Sequence, residues 1–376
     1  MAPAGDLVVC GGTGADGTPV EVAIAGGRVV EDGRGLPEYD ARGLVVLPGL
    51  LDLQVNGVAG IDLTLEPERL WDAAAALPAF GVTAFLPTII TSAPDSRQRA
   101  LATFRAGPPA GWAGAVPLGL HLEGPMLAPA RKGAHPERLL RHPSPDLVAG
   151  WSRDTGVVMV TLAPELPGAL DVVEALAGRG VLVSVGHTDA TEAQVAEAVA
   201  RGARLVTHLG NAMPPLQGRE PGPVGVALGD RRLVAGVIAD GHHLHAATLA
   251  AYWHALGPER FLAVTDCTAA LGLADGPARL GDQHVVVRDG TVRLEDGTLA
   301  GSAASLPECL RVLHDVTGAS LAEAVATCTT TPAALLGDDG RGRIGPGARG
   351  DLTLVDPDLG LVATVVGGRV LHGGAR

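Results

Sequence analysis

The sequence predicts an α/β fold, a (β/α)8 TIM-like barrel accompanied by a small β-sandwich domain built from both chain termini. Three observations carry that expectation. Eight continuous apolar runs follow one another through the middle of the chain, the signature of strands buried on both faces of a parallel sheet. Helix-like stretches separate most of them, and the array fills roughly 250–300 residues, the size of an eight-unit barrel. The two ends instead alternate apolar and polar residues around Gly-Gly turns, as hairpins do.

The N-terminal segment contains "PVEVAIAGGRVVEDG" (19–33) and the C-terminal segment "GDLTLVDPDLGLVATVVGGRVLHGG" (350–374), which share one character. Residues 1–47 plus 345–376 are therefore expected to form the small β-domain, and 48–344 the barrel. Within the N-terminal part, Gly12, Gly14 and Gly17 spell GxGxxG, but the next residues alternate like a strand. A dinucleotide fingerprint needs a helix there, so a hairpin turn is the better reading.

The expected barrel strands are Gly49–Gln54, Val82–Pro87, Val116–Glu123, Val157–Ala163, Val181–His187, Leu205–His208, Leu233–Ala239 and Phe261–Asp266. Three helix starts carry a capping box: Thr191 with Gln194, Ser305 with Glu308, and Ser320 with Glu323. Gly202 is a C-terminal stop for the first of these helices. A further hairpin at 284–299 interrupts the last barrel unit.

Composition narrows the function. The 376 residues carry a formal net charge of −13, which argues against nucleic acid as the partner, because a phosphate backbone needs a basic surface. A small phosphorylated ligand remains open if local cations collect it. Four cysteines, Cys10, Cys267, Cys309 and Cys328, form no CxxC and no disulfide-like framework, which fits reduced thiols in a cytoplasmic protein. The N-terminal residues lack the charge and apolar core of a secretory signal, and no apolar stretch reaches the length of a membrane span.

In a barrel, reactive side chains sit where strands end at their carboxyl termini. Here the first strand ends in Gln54 and Asn56, the third in Glu123, the fifth in His187, the sixth in His208, the seventh near Asp240 and the eighth in Asp266. Any one of these alone reads more readily as a core or surface histidine or a helix cap. Four reactive groups at four strand ends of one mouth do not. Burying Glu123 unpaired would be costly, and a divalent ion shared with His187 and His208 neutralises it. Two imidazoles and one carboxylate leave a coordination position open, the pattern of hydrolytic zinc, although iron, manganese or cobalt also suits such donors. Asp266 is then free for proton transfer. His121, two residues before Glu123 on the same strand face, reads as a residue that orients the carboxylate.

Nine segments in order complete the picture: "LPGLLDLQVNG" (47–57), "GLHLEGPML" (119–127), "RKGAH" (131–135), "LAPE" (162–165), "GHTDAT" (186–191), "THLGNAMPPLQGREPG" (207–222), "IADGHHLH" (238–245), "VTDCTAA" (264–270) and "GTLAGSAAS" (297–305). On these the chain resembles the N-acetylglucosamine-6-phosphate deacetylases of the amidohydrolase superfamily. The resemblance implies one divalent metal per subunit on Glu123, His187 and His208, with Asp266 as the acid/base. It implies that His135 binds the substrate and polarises its acetamide carbonyl. It also implies that Asn211, the backbone of Ala212, His243 and Arg219 grip a sugar phosphate, Arg219 reaching in from the neighbouring subunit of a homodimer. Lys132 would add to this cationic pocket.

The implied reaction is hydrolysis of N-acetyl-D-glucosamine 6-phosphate to D-glucosamine 6-phosphate and acetate, in amino-sugar catabolism or recycling. The alternatives are the galactosamine epimer as substrate, or a non-enzymatic scaffold, which would be expected to lose the ligand set. Gln54 and Asn56 replace the His-x-His that many amidohydrolases carry for a second metal, which favours one metal and contacts from both amides to water or substrate. Gly210 and Met126 stand at commonly aromatic positions, so a more open pocket wall is expected. Cys267, beside Asp266, reads as a packed small residue.

Overall fold

A computed structural model describes residues 5–374; positions 1–4 and 375–376, the outermost part of the expected terminal β-domain, lie outside the described residues. All eight expected barrel runs form parallel strands: Leu50–Val55, Val82–Ile89, Leu120–Glu123, Val157–Leu162, Leu182–Val185, Leu205–Val206, Val234–Ile238 and Phe261–Val264. They pair in sequence order, each with the next. Almost every residue in them is buried, as a parallel sheet wrapped by helices requires. With so few aromatics the core is Val, Leu and Ala, and Phe85 and Phe261 are its largest fully buried aromatic side chains. Truncating Phe85 to Ala would cost about 3–5 kcal/mol.

The third expected strand is broken. Its first part, Val116–Pro117, pairs with Ala84 and Phe85, and its second part pairs with Thr88 and Ile89. Gly119 makes the break: its φ is +128°, and a Cβ there would stand 2.3 Å from Val158 Cγ2. Only glycine tolerates both.

The barrel closes between its first and eighth strands by an unusual seam. Near the mouth, Val55 bridges Cys267 and the Asn56 N–H donates to the Cys267 carbonyl at 2.8 Å. Deeper down, a turn from the C-terminal helices is inserted between the two strands. Leu51 N–H donates to the Cys328 carbonyl and Ala263 N–H to that of Thr327. The buried Asp52 spans this gap from one side, accepting from Thr265 N–H and Thr265 Oγ1 at 3.3 and 2.5 Å.

The three capping boxes form, with the Gln194, Glu308 and Glu323 side chains accepting from the Thr191, Ser305 and Ser320 N–H groups. Gly202 follows the first of these helices with φ +116°. The stretch between the third and fourth strands has no α-helix. It runs from 124 to 156 with short 3-10 turns at Pro129–Arg131, Glu137–Leu139 and Arg153–Thr155, and it overhangs the barrel mouth.

Strands from both ends join one eight-stranded sheet. Val45–Pro48 pairs antiparallel with Leu352–Val355, so the two chain ends meet in mid-sheet. Leu7, Val9, Ile24 and Val46 share their core with Leu352, Leu354 and Val365. The GxGxxG segment is a hairpin turn between Leu7–Thr13 and Pro19–Ala25. The expected hairpin at 284–299 belongs to a four-stranded sheet spanning Gly276–Leu280 to Leu299–Ser302, which covers part of the mouth.

Candidate metal centre and active cavity

A cavity of about 320 Å3 opens at the carboxyl ends of the barrel strands. Asn56, Glu123, His135, His187, His208, Asn211, Ala212, His243 and Asp266 all line it. The backbone turns sharply to deliver them. His187, His208, Ala212 and Asp266 have φ of 48°, 31°, 50° and 52°, a region in which non-glycine residues carry strain of about 1 kcal/mol or more each.

Three atoms converge at the centre. Glu123 Oε1 lies 3.1 Å from His187 Nε2 and 3.2 Å from His208 Nε2, and the two imidazole nitrogens are 3.1 Å apart. Donors about 2.1 Å from a tetrahedral ion stand about 3.4 Å from one another, so this triangle is close to the size of one face of such a site. The proton inventory points the same way. His187 Nδ1 faces the Arg131 carbonyl at 2.8 Å, which can only accept, so Nδ1 carries the proton and Nε2 of the neutral ring is a bare lone pair. That lone pair meets a carboxylate oxygen, an arrangement a cation relieves. Burial alone would raise the Glu123 pKa, but the two imidazoles hold it well below the carboxylate range. Burial opposes protonation of His208, and Glu123 outweighs it and raises its pKa.

Glu123, His135 and His187 also group within 4.8 Å, but the surroundings of His135 are different in kind. Its Nδ1 accepts the backbone N–H of Thr91 at 3.3 Å and sits 2.9 Å from Thr91 Oγ1. The ring proton therefore resides on Nε2. Burial, then the neighbouring His187, pushes His135 down to about 3, so it is a neutral donor. Its ring stands edge-on to His187 with centroids 4.4 Å apart.

Asp266 is held from one side only. Asn56 Nδ2 and Gln54 Nε2 both donate to its Oδ1, at 2.7 and 3.0 Å, and Oδ2 is left free. Burial, followed by the Glu123 charge, raises Asp266 to about 6. Gln54 Nε2 also reaches Glu123 at 3.3–3.4 Å, so one amide tethers both carboxylates. Both amides thus hold protein carboxylates, and Asn56 also lines the cavity.

His243 donates from Nδ1 to Asp240 Oδ2 at 2.7 Å, and its own N–H donates to Asp240 Oδ1, so the loop after the seventh strand fixes the ring. Arg219 does not enter this cavity. It is exposed on the loop before Gly222 and makes no hydrogen bond or ion pair among the described residues. Lys132 is absent from the lining; Arg131, paired with Asp189 at 2.8 Å, takes the nearby place.

Three expectations are corrected. His121 does not touch Glu123; it bonds Thr88 Oγ1 and Thr161 Oγ1 in a buried hydroxyl layer below the site, and burial holds it neutral with a pKa of about 4. Gly210 leaves no opening, because the space for a Cβ is taken by the Tyr252 hydroxyl at 2.8 Å and by Leu244 at 3.2 Å. Met126 is fully buried in the core and away from the cavity. Cys267 is buried, its Sγ 3.4 Å from the Gly57 carbonyl, and burial raises its thiol pKa well above the ordinary value. The residues missed from sequence are Thr91 and the Arg131 carbonyl. The carbonyl of Arg131 and the N–H of Thr91 belong to the backbone, which leaves no side-chain signature; the Thr91 hydroxyl adds a second contact to His135.

Comparisons with known proteins agree with this geometry. N-acetylglucosamine-6-phosphate deacetylase of Homo sapiens is 37% identical over 384 residues, covering 97% of this chain and 91% of its own. N-acetylgalactosamine-6-phosphate deacetylase of Escherichia coli O157:H7 is 36% identical, covering 86% of each. The structure of a mutant N-acetyl-D-glucosamine-6-phosphate deacetylase of Mycobacterium smegmatis in complex with N-acetyl-D-glucosamine-6-phosphate superposes with a TM-score of 0.87 at 32% identity, covering 98% of this chain and 100% of that one. A sequence model of the amidohydrolase family matches residues 45–371, and with relatives this similar along nearly the full length, the chain belongs to the amidohydrolase family.

Proposed function

We propose that the protein hydrolyses the acetamide of N-acetyl-D-glucosamine 6-phosphate to D-glucosamine 6-phosphate and acetate. The observation that carries this reading is the triangle of Glu123 Oε1, His187 Nε2 and His208 Nε2 beside a carboxylate, Asp266, with one oxygen free. Those three residues would hold one divalent metal, for which zinc suits the two imidazoles and one carboxylate, with iron, manganese or cobalt as alternatives. When bound, the metal supplies Lewis acidity and lowers the pKa of water.

The chain's own groups do the rest. Asp266 Oδ2 takes the proton of the attacking water and returns it to the departing amine, while Asn56 and Gln54 pin Oδ1. His135 Nε2–H donates to the carbonyl oxygen as negative charge develops there. His243, steadied by Asp240, grips the phosphate together with Asn211 and the Ala212 backbone. Arg219 adds its charge from the partner in a homodimer, which agrees with its lying outside the cavity of its own chain. The division into a β-domain (1–47 plus 345–376) and a catalytic barrel (48–344), and a cytoplasmic setting, complete the reading.

A second reading is supported by the Escherichia coli relative: the galactosamine epimer as substrate. Acetate release from N-acetylglucosamine 6-phosphate, its galactosamine epimer and unphosphorylated N-acetylglucosamine tests both. Preference for the first supports the proposal, and preference for the epimer moves the substrate. Equal turnover without phosphate removes the phosphate grip. No release from any of them, with metal bound, rejects the deacetylase reading.

A further inference from the structure

A second cavity of about 180 Å3 lies between the start of the helix Pro94–Ala106 and the loop after His135. Its polar lining is Ser92, Arg97, Arg141, His142 and Ser144, and it includes no carboxylate. On a chain of net charge −13 that is a pointed departure.

Arg97 is only 7% exposed, yet among the described residues no acidic side chain pairs with it. Of its five N–H donors, one is satisfied, from Nη1 to the Ser92 carbonyl at 2.8 Å, with the guanidinium stacked 5.9 Å from the Trp151 ring centre. Among the described residues Arg141 bonds only the carbonyls of Arg138 and Leu140. Ser92 is 8% exposed and its hydroxyl has no hydrogen-bond partner. The helix that starts at Pro94 has no side-chain cap, so its positive end adds to the same field. Burial and the charge of Arg141 both lower the Arg97 pKa, the strain expected of two cations gathered without an anion. A buried cation left unpaired, as Arg97 is, is costly, and an oxyanion in the cavity would give these donors an acceptor.

We propose that this cavity is a second oxyanion site, which binds inorganic phosphate or the phosphate group of a phosphorylated metabolite and is distinct from the substrate cavity. It is wired to the reaction centre by both of its walls. Thr91, which sets the His135 tautomer, is the neighbour of Ser92, and His135 and Arg141 lie on one loop. An anion that draws Ser92 and Arg141 together therefore bears on the position of His135.

Isothermal titration of the metal-loaded protein with inorganic phosphate tests this, with Arg141→Gln as the exposed, foldable variant and Ser92→Ala as the second. The expected result is a binding step in the wild type that weakens tenfold or more in Arg141→Gln and measurably in Ser92→Ala. Titration with glucosamine 6-phosphate distinguishes the source. Two equivalents in the wild type and one in Arg141→Gln indicate a sugar phosphate, whereas one equivalent in both, with the inorganic phosphate step present in the wild type and weakened in Arg141→Gln, indicates the free ion. Phosphate titrations identical in wild type and both variants overturn the proposal.

Discussion

The backbone N–H of Thr91 points at Nδ1 of His135 across 3.3 Å, and that single contact separates His135 from the histidines beside it. His187 meets a carbonyl at the same ring position and so presents a lone pair to the centre. His135 meets a donor and so presents an N–H. As a metal ligand, His135 would need the opposite tautomer, with two N–H groups facing each other at Thr91. Neighbouring imidazoles of similar burial are thus sorted into ligand and hydrogen-bond donor by the backbone around them.

His135→Gln is accordingly expected to lower kcat by about 10²–10³, the usual loss when one donor to a developing oxyanion is removed. Metal content should stay at the wild-type level. Elemental analysis of the purified variant checks this, and a stoichiometric loss of metal would make His135 a ligand instead.

Asp266→Asn keeps the acceptor that Asn56 and Gln54 hold, and replaces only the free oxygen. The variant should retain its metal and lose about 10²–10⁴ in kcat, the contribution of a positioned acid/base. Wild-type turnover in this variant would transfer proton transfer to another group.

Much of this was legible in the sequence because strand ends and chemistry coincide. Glu123, His187, His208 and Asp266 each follow an apolar run, and the structure brings all four to one cavity. What stayed hidden depends on the third dimension. The break at Gly119 reflects a clash with Val158 on the next strand, which no local pattern announces. His121 has the right period to face Glu123, but it is captured by hydroxyls on the flanking strands, at Thr88 and Thr161. The wall at Gly210 is filled by Tyr252, some forty residues later, so an absent side chain in sequence is no absence in space.

Asp52 gives the barrel seam a pH dependence. Burial raises its pKa to about 7 despite the hydrogen bonds from Thr265 and Gln54. Its folded-state pKa thus lies above the unfolded value, so its stabilising contribution is complete below about pH 4 and is lost as pH rises through 7. Between about pH 5.5 and about pH 8.5 the wild type should lose about 2 kcal/mol relative to Asp52→Asn, which cannot ionise. Urea midpoints of the two proteins at both pH values measure this. A constant difference between them would mean that Asp52 stays in one protonation state.

Removing the metal should destabilise the barrel mouth more than any single ligand contact suggests. The lone pairs of His187 and Glu123 stand 3.1 Å apart, with His187 at a strained backbone position, and an ion between them offsets both the repulsion and part of the strain. Binding to the folded state alone contributes about 4 kcal/mol when the free ion exceeds its Kd a thousandfold. Chelated protein should therefore melt several degrees lower than the metal-loaded form, and one equivalent of zinc per chain should restore the melting temperature. His187→Ala should abolish that response while His135→Gln keeps it. A chelated protein that melts at the same temperature as the loaded one would show that the triangle is held by protons rather than by a metal.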